Sequence, residues 1–407
     1  MPPADPTRRS FILSAGTAAA ATVVGSVAHG FPANETINVG VIGTGGRARH
    51  LMKALARIEK TRMTVLCDVW DAALSQAAPI ADKQATSTKS YSELLGQKDV
   101  HAVLIGTPDH QHVPVTIAAL KAEKHVYVEK PLTHELSEGK AVLDAHADKK
   151  LIVQVGTQQR SMPHVIKAKE LVKAGKIGKV FKVKMSWNRN TDRVKRFAMG
   201  VDPKSVDWKA FLGGAKDQPF DEYRFRNWRW FWDFGGGIFT DLMVHWVDVA
   251  HFVLDLDRPE KAVSAGEFFV AKDVWETPDT VQTLLTYPGS VQMHFEGTFS
   301  NARNGAHIEF QGTDATIYVD RGRLELIPER NKKAEPLKEI LGTKPDYPGA
   351  DFYDQPDGEL LHLQNWVDCI RSGKEPTAPL AAGVSGAAAA HLANQAMRTG
   401  QTAAWKG

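Results

Sequence analysis

The sequence predicts a two-domain α/β protein, with a doubly wound parallel sheet in an N-terminal domain and a large, mostly antiparallel open sheet in a C-terminal α+β domain. Two observations carry this prediction. Between Thr36 and Gln158, short apolar runs alternate with segments of helical period, which is typical of βαβ units. Beyond Arg160, several strand-like runs follow one another at short spacing without intervening helices, which is typical of an antiparallel sheet.

Length and composition agree with a globular protein of two domains. The chain has 407 residues, of which 43% are hydrophobic and 24% charged, enough for a sizeable core. The formal net charge is +3, from 50 basic and 47 acidic residues. This balance argues against an electrostatic nucleic-acid binder and a polybasic membrane tether, so we expect a small-molecule partner.

The first 30 residues have the composition of a targeting segment. Arg8 and Arg9 precede a weakly apolar, Ala-rich run and then small residues up to Ala28, where cleavage is plausible. The pattern is typical of a twin-arginine signal peptide, although a disordered tail with two chance arginines stays open. No other segment approaches the roughly 20 apolar residues of a membrane span. We therefore expect recognition by the twin-arginine export machinery and a periplasmic or otherwise exported location.

The two cysteines do not predict a disulfide framework, although an exported protein reaches an oxidising compartment. Cys67 lies in a predicted buried strand and Cys369 in a predicted C-terminal helix. A bond between them stays open. Twin-arginine export carries folded proteins, commonly with a cofactor already loaded, which fits a chain that does not depend on oxidative folding.

The first predicted strand, "TINVGVIG", leads into a glycine-rich turn at the start of an amphipathic helix. The turn is a GxGxxA variant in which glycines permit a tight turn and close approach of a pyrophosphate, whose charge lies at the helix N-terminus. This context predicts a dinucleotide-binding Rossmann domain over residues 37–160. The cofactor-binding residues expected in the turn are Gly43, Gly45, Gly46 and Arg47.

The second strand, "MTVLCDV", ends at Asp68. A carboxylate at this place can accept hydrogen bonds from both ribose hydroxyls and would repel a 2′-phosphate. Asp68 therefore favours NAD over NADP, with an ordinary strand-end cap as the alternative.

Polar residues also follow later strands of the predicted parallel sheet. Because the C-terminal strand ends of a doubly wound sheet form the ligand crevice, we expect these residues to face the cofactor. "TPDHQH" contributes Thr107, Pro108 and His112, and "EKP" contributes Glu129 and Lys130 before Pro131. Gln158, which closes the domain, is expected to reach the same crevice.

The second domain is predicted over residues 161–385, with a helix near 238–254 and a loop over 331–358. Residues 386–407 are expected to form a C-terminal helix and tail that pack back on the body. In the central helix, Asp241, His245 and Asp248 are spaced i, i+4 and i+7 among apolar residues, so they share one face. A buried helix with such a stripe needs a cavity or a polar partner.

The chain resembles the Gfo/Idh/MocA oxidoreductases, relatives of glucose-fructose oxidoreductase and inositol dehydrogenase. The motifs that carry this resemblance are the Gly43 turn, Asp68, "TPDHQH", "EKP" and the run Gly235–Gly237 before Asp241 and His245. The resemblance implies a Rossmann domain and a second domain whose open sheet often mediates oligomerisation. We therefore expect a homo-oligomer, a dimer or a tetramer.

The resemblance also implies roles for three residues. It places Lys130 near the nicotinamide and the reacting carbon, where an ammonium can stabilise alkoxide-like charge. It makes His245 the general acid/base on the substrate hydroxyl, with Asp241 holding substrate and tuning the imidazole. Asp248 is expected to be structural. A metal site at Asp241 and His245 is conceivable, but no HExxH or CxxC motif exists and no metal is expected.

The predicted substrate site combines aromatic and arginine side chains. The stretch "DEYRFRNWRWFWDFGGG" interleaves them, and aromatic faces with guanidinium forks suit polyhydroxylated rings, although a core loop is the alternative for any one residue. The residues expected to bind substrate, besides Lys130, Asp241 and His245, are Arg160, Asn188, Arg189, Arg226 and Trp228.

These observations predict an exported NAD-dependent oxidoreductase that acts on a carbinol of a sugar, cyclitol or glycoside. Because an exported enzyme meets little free nicotinamide, its cofactor should stay tightly bound and be regenerated in place. A redox-neutral, NAD-dependent glycoside hydrolase or lyase is the alternative, although the glycosidase branch of the family shows a different motif in place of "EKPL". A non-catalytic sugar-binding protein is disfavoured because Lys130, Asp241 and His245 are all present.

Overall fold

The N-terminal domain is built on a parallel sheet. The protein is represented by a computed structural model that describes residues 31–32, 34–191, 194–340 and 357–405, so the predicted signal peptide lies outside the described residues. The strands are β1 (Ile37–Ile42), β2 (Thr61–Cys67), β3 (Thr86–Thr88), β4 (Ala102–Ile105), β5 (His125–Val128) and β6 (Val153–Val155). Their order, β3-β2-β1-β4-β5-β6, confirms the predicted doubly wound sheet.

Five helices flank this sheet: α1 (Gly46–Leu55), α2 (Asp71–Ala77), α3 (Tyr91–Leu95), α4 (Asp109–Lys121) and α5 (Glu138–His146). Because the helices cover both faces, the central strands are apolar throughout rather than alternating. All four residues of β4 are buried, and β1 buries every residue except Asn38. This sheet places the polar residues that follow β1, β2, β4 and β5 along one edge.

The C-terminal domain contains a nine-stranded sheet of order β14-β13-β12-β11-β7-β10-β9-β8-β15. All its strand pairs are antiparallel except β7 with β10, which confirms the predicted mostly antiparallel sheet. Its strands are β7 (Val180–Asn188), β8 (Lys261–Glu267), β9 (Thr280–Tyr287), β10 (Val291–Thr298), β11 (Ala306–Gly312), β12 (Ala315–Val319), β13 (Arg323–Pro328), β14 (Leu337–Ile340) and β15 (Ala403–Ala404).

The register gives this sheet one buried and one open face. A row of paired residues that runs from Ala262 in β8 to Leu326 in β13 faces the core, whereas the adjacent row, from Val263 to Glu325, faces outward. The remaining helices are α6 (Pro163–Lys173), α7 (Trp208–Leu212), α8 (Glu222–Arg226), α9 (Val244–Leu254), α10 (Gly358–Ser372) and α11 (Leu380–Thr399). Of these, α9 and α11 contribute buried residues to the core beneath the sheet.

Three elements differ from the sequence-based expectation. The predicted loop over 331–358 contains β14, which pairs with β13. Helix α10 lies within the range predicted for the second domain but packs on the first, where Leu363 and Trp366 join the core beneath α1, a return that the helical pattern of the C-terminus left open. Helix α11 begins at Leu380, before the residue expected to open the C-terminal helix. For α10, the local pattern did not determine which core receives the segment.

Two further observations concern the chain as a whole. Cys67 and Cys369 are both buried free thiols. Within the described ranges, no helix combines the length and the apolarity needed to cross a bilayer.

Candidate active site

A large cavity lies at the C-terminal edge of the parallel sheet, between the two domains. Its volume is about 1440 Å³, and residues of both domains line it. Pockets for a single drug-sized ligand typically hold about 300–1,000 Å³. The cavity therefore has room for a dinucleotide and a second small molecule together.

The glycine turn after β1 forms the floor of the cavity and fits a pyrophosphate. Gly43 has a φ of 79°, and a Cβ there would lie 2.7 Å from the Thr107 nitrogen, so this turn requires glycine. A Cβ on Gly45 or Gly46 would meet nothing within 4 Å, which shows open space in front of both. No side chain caps the start of α1 at Gly45. The first amide groups of α1 are thus available to an anion.

Asp68 lies at the end of β2 and lines the same cavity. Its Oδ2 accepts hydrogen bonds from the Thr44 backbone nitrogen at 2.6 Å and the Thr44 hydroxyl at 3.2 Å, and its Oδ1 accepts one from Trp70 N at 2.9 Å. Burial raises the pKa of Asp68, while these hydrogen bonds lower it in part. The carboxylate therefore holds the glycine turn and lies where a ribose is expected.

Residues after β4 and β5 form the next part of the wall. Thr107, Pro108 and His112 line the cavity, as the sequence predicts for the crevice. The His112 ring nitrogens lie 2.6 Å from the Pro131 carbonyl and 2.9 Å from the Thr107 carbonyl. Burial lowers the pKa of His112 to about 4. His112 therefore ties the turn after β5, which includes a cis Lys130–Pro131 peptide bond, to the turn after β4.

Glu129 connects this turn to the glycine-turn helix and to α10. Arg47 donates from Nε to Glu129 Oε1 at 3.0 Å and from Nη1 to Glu359 Oε1 at 2.8 Å. Burial alone would lower the pKa of Arg47, but the charges of Glu129 and Glu359 raise it. The charged pair at the end of β5 is thus divided, because Glu129 fixes α1 while Lys130 points to the second domain.

Lys130 and Asp241 meet across the domain boundary. The Lys130 ammonium donates to the Asp241 backbone oxygen at 2.7 Å and to its Oδ1 at 2.9 Å, and its side chain is only 10% exposed. Arg229 Nε donates to the same Oδ1 at 3.1 Å. Burial alone would raise the pKa of Asp241, but Lys130 and Arg229 outweigh it and hold the pKa well below its usual value. Asp241 is therefore a fixed anion.

His245 is one helical turn beyond Asp241, which belongs to a π-helical turn (Phe239–Met243) leading into α9. His245 Nδ1 lies 3.2 Å from Gln159 Oε1. Because an amide oxygen can only accept, Nδ1 carries the proton and Nε2 is the basic nitrogen. The ring stacks on Trp187 with centroids 5.2 Å apart. Burial, with the charges of Lys130 and Arg321, lowers the pKa of His245 well below its usual value, so the ring is neutral.

Gln158 has the features of a ligand-binding side chain. It is 3% exposed and lines the cavity, and neither its Oε1 nor its Nε2 has a hydrogen-bond partner among the described residues. Buried amides are normally paired, so a ligand is the natural partner for this one. Trp228 and Arg189 also line the cavity, where Arg229 covers the Trp228 ring at 4.2 Å.

Two predicted substrate residues lie outside the cavity, and the prediction is corrected for both. Arg160 donates from Nε to Asp248 Oδ2 at 2.8 Å, a buried ion pair that also gives Asp248 its expected structural role. Asn188 donates to Glu296 at 3.0 Å and to the Arg303 carbonyl at 2.7 Å. In each case a neighbouring acceptor takes the side chain away from the cleft.

Arg226 lines the cavity, but at a different end from the one predicted. Its guanidinium lies 4.7 Å from the centroid of Trp70, two residues beyond Asp68. It therefore lies at the end expected to hold the nucleotide rather than near Lys130. Sequence reasoning placed Arg226 with the substrate because it is close in sequence to Trp228.

Several lining residues were missing from the predicted site. Asp109 lies at the start of α4, and burial raises its pKa well above the usual value. Arg229 is close in sequence to predicted residues, whereas Arg321 comes from the turn between β12 and β13, which no motif marks. Gln159, next to the predicted Gln158, was also missed, and it contacts the His245 ring. No group of three or more potential metal ligands occurs in the described part of the chain.

Comparisons with known proteins agree with this architecture. Residues 37–157 match the family model described as "Oxidoreductase family, NAD-binding Rossmann fold", and residues 165–318 match the "GFO/IDH/MocA C-terminal domain". The two models cover both domains and more than half of the chain.

Two curated relatives show what the chain is similar to. A levoglucosan dehydrogenase of Pseudarthrobacter phenanthrenivorans is 28% identical over 318 residues, which cover 71% of this chain and 75% of that protein. A scyllo-inositol 2-dehydrogenase (NAD(+)) of Bacillus subtilis is 26% identical over 291 residues, covering 70% of this chain and 71% of that protein.

Solved structures share the fold. A levoglucosan dehydrogenase in complex with NADH and levoglucosan superposes with a TM-score of 0.73 at 20% identity, covering 92% of this chain and 100% of that one. The WlbA dehydrogenase from Bordetella pertussis, in complex with NADH and UDP-GlcNAcA, gives a TM-score of 0.72 at 19% identity, covering 91% and 98% of the two chains.

Proposed function

This chain belongs to the Gfo/Idh/MocA family of oxidoreductases, and on that premise we propose that it is an exported NAD-dependent dehydrogenase of a sugar, cyclitol or glycoside. The observation that carries the proposal is the meeting of Lys130, Asp241 and His245 in one cavity with the glycine turn. A scaffold that only bound a sugar would not need a buried ammonium, a fixed carboxylate and a neutral imidazole together.

The residues that would hold NAD are those that the cavity leaves available. Gly45 and Gly46 leave space for the pyrophosphate at the start of α1, and Asp68 provides a carboxylate for the ribose. When bound, the nicotinamide supplies the acceptor for the carbinol hydride. Both polar atoms of Gln158 can serve either that ring's amide or a substrate hydroxyl.

The chain's own residues manage the proton and the developing charge. Neutral His245 accepts the hydroxyl proton at Nε2, because Nδ1 donates to Gln159. Lys130 offers a positive charge to the alkoxide-like oxygen, which is worth more in a buried cavity than in water. Asp241 accepts from both Lys130 and Arg229 and so fixes the Lys130 ammonium in the cavity. The negative charge of Asp241 also favours the His245 imidazolium once it has formed.

The relatives support a polyhydroxylated substrate, since their names specify levoglucosan and scyllo-inositol. The lining of the second-domain side agrees with such a ligand. Trp228 offers an apolar face with Arg229 above it, and Arg189 also lines the cavity. Apolar C–H faces and hydroxyl groups alternate on sugars and cyclitols, and this lining can contact both.

The proposed location and assembly have separate support. The Arg8–Arg9 segment supports twin-arginine export. The open face of the nine-stranded sheet exposes Val263, Leu284, Ile327 and Ile340 to between 39% and 55%, which supports burial against a second copy. Light scattering of the purified protein tests this assembly, and a monomer at micromolar concentration would contradict it.

The function is tested on mature protein exported by its own signal. The protein is denatured and the released nicotinamide is quantified, and intact protein is then screened with free sugars, cyclitols and glycosides. Lasting reduction of NAD, reversed by a carbonyl compound, is the expected result. Glycoside cleavage without lasting reduction would instead assign a redox-neutral hydrolase, and failure to bind NAD or NADH at all would overturn both activities.

A further inference from the structure

A segment of the second domain crosses the cavity above the glycine turn. We define this crossing segment as Val206–Gly213, which contains the short helix α7. The residues Ala210, Phe211 and Gly213 line the cavity together with Gly45 and Gly46. The crossing segment therefore forms the wall opposite the proposed pyrophosphate site.

One end of the crossing segment is attached to the residues that follow β2. Val206 and Trp70 form an antiparallel bridge, and Asp207 N donates to the Val69 carbonyl at 2.8 Å. The Asp207 side chain accepts a hydrogen bond from Ala210 N at 3.0 Å and so caps α7. The segment is thus tied to the end of the strand that carries Asp68.

The other end is attached to the first turn of α4, which follows β4. His110 Nε2 lies 2.8 Å from the Phe211 carbonyl, and Gln111 Nε2 donates to the same carbonyl at 3.3 Å. Gly213, with a φ of 55°, lies so close to Gln111 that a Cβ would overlap the Gln111 amide. This end is therefore fixed as closely as the first.

The sheet order gives these two attachments their meaning. Because β1 lies between β2 and β4, a segment fixed to the ends of β2 and β4 must pass over the end of β1. The glycine turn follows β1, so any dinucleotide on that turn lies beneath the crossing segment. Phe211 and Leu212 are each 5% exposed and belong to the core of the second domain. This burial anchors the crossing segment in that domain as well.

Arg226 extends this wall at the nucleotide end. Its guanidinium lies 4.7 Å from the Trp70 ring centroid, and Phe225 contacts the same indole edge-on at 5.6 Å. Arg49, which follows the glycine turn, is a second cation that lines the cavity. Among the described residues, no carboxylate forms an ion pair with Arg226. Two cations facing one cleft are suited to a bound diphosphate.

From these contacts we infer that the crossing segment and Arg226 retain NAD in the cavity between turnovers, an inference that rests on the proposed function. The attached crossing segment covers one side of the cavity above the glycine turn. The contacts at Trp70 and those at His110 and Gln111 therefore slow the release of NAD, which is faster when either attachment is lost.

The test is the release rate of NADH from the full chain. Protein loaded with NADH is mixed with excess NAD, and the loss of bound-cofactor fluorescence is followed by stopped flow. Arg226→Ala should release NADH about three- to fivefold faster than wild type, the size expected for an exposed cation–π contact. Arg258→Ala is the matched control, because Arg258 also lies 4.7 Å from an aromatic ring, that of Trp405, and it does not line the cavity.

A disulfide across the bridge tests the crossing segment itself. Directly opposed residues of an antiparallel pair have Cα atoms about 4.5–5.5 Å apart, within the range of a disulfide. In the double variant Trp70→Cys/Val206→Cys, the oxidised protein should release NADH more slowly than the same protein after reduction, while wild type is unaffected by either treatment.

Equal release rates in all these proteins would overturn the retention inference and leave the dehydrogenase proposal intact. Absence of NADH binding by wild type would overturn both. Faster release from Arg258→Ala as well as Arg226→Ala would assign the effect to general destabilisation and so also overturn retention.

Discussion

His245 is a neutral base in a buried and positively charged setting, and this combination predicts its pH dependence. Burial, Lys130 and Arg321 all disfavour the imidazolium, so the folded pKa lies below the ordinary value of about 6.5. In the proposed oxidation the neutral ring accepts the proton, so kcat/KM should be flat at neutral pH and decline only well below about pH 6.5. A decline centred at or above pH 6.5 would contradict this assignment.

Removal of one of those charges should move the acid limb in a known direction. Arg321→Gln removes a positive charge that lowers the pKa of His245, so the limb should shift to higher pH. Arg303→Gln, an exposed residue that does not line the cavity, should leave the profile in place. The measurement is kcat/KM against pH for the three proteins with one substrate.

Lys130 should affect the chemical step far more than cofactor binding. Lys130 donates hydrogen bonds to Asp241, whereas the glycine turn and Asp68 form the proposed nucleotide site. Lys130→Met should lower kcat by about 10²–10⁴-fold, as expected for loss of a positioned acid or charge. Titration with NADH should give a dissociation constant close to that of wild type. An unchanged kcat would remove Lys130 from the chemistry.

The residues of the site that the sequence could identify are those placed by local rules. Lys130 follows a strand end, and Asp241 and His245 share a helix face, whereas their meeting in one site was implied by the family resemblance. Gln159 could not be separated from Gln158, nor Arg229 from Arg226, because a displacement of one to three residues in an irregular segment changes the side that a side chain faces. Arg160 and Asn188 failed because Asp248 and Glu296, distant in sequence, offer closer partners.

At the scale of elements, α10 is held on the first domain by a buried ion pair as well as by apolar packing. Glu359, whose side chain is 5% exposed, accepts from Arg47, which is itself bound to Glu129. Glu359→Gln removes the buried negative charge that faces Arg47, and we expect a loss of about 1–3 kcal/mol in the free energy of unfolding. Denaturant unfolding of the purified variant measures it.

A neighbouring pair between the same two elements provides the control. Arg57, just after α1, pairs with Asp357 at the start of α10, and its side chain is 55% exposed. Arg57→Gln should cost about 0–1 kcal/mol, the usual worth of an exposed ion pair. Equal losses of unfolding free energy in Arg57→Gln and Glu359→Gln would show that the buried ion pair stabilises the fold no more than the exposed one.

The strands of the parallel sheet were predictable and the short helices of the second domain were not. The strands β1, β2, β4 and β5 are apolar runs at strand length, and the glycine turn after β1 and the polar residues after β2, β4 and β5 mark the crevice. By contrast, α7 and α8 have five residues each, too few to show helical periodicity. The wall over the cofactor site is made of these short helices, so its place depends on tertiary contacts such as Asp207 with Val69.

At the scale of the whole molecule, buried histidines should make the fold sensitive to moderate acid. Burial lowers the pKa of five of them to about 4, so the folded state stays neutral where the unfolded chain, with pKa values near 6.5, takes up protons. The free energy of unfolding should therefore be unaffected by them above about pH 6.5 and fall as pH decreases towards 4. These histidines are His110, His112, His125, His362 and His391.

His362 allows this account to be measured for one group, because it connects α10 to the first domain through a neutral ring. Its Nε2 donates to the Val155 carbonyl at 2.9 Å, and its Nδ1 accepts from the Ser161 hydroxyl at 2.7 Å. His362→Gln should reduce the slope of unfolding free energy against pH by about 1 kcal/mol per pH unit between pH 4.5 and 6. At pH 8 the two proteins differ only by lost contacts, so the slope separates protonation from packing. Parallel curves for wild type and variant over this range would show that His362 titrates alike in the folded and unfolded states.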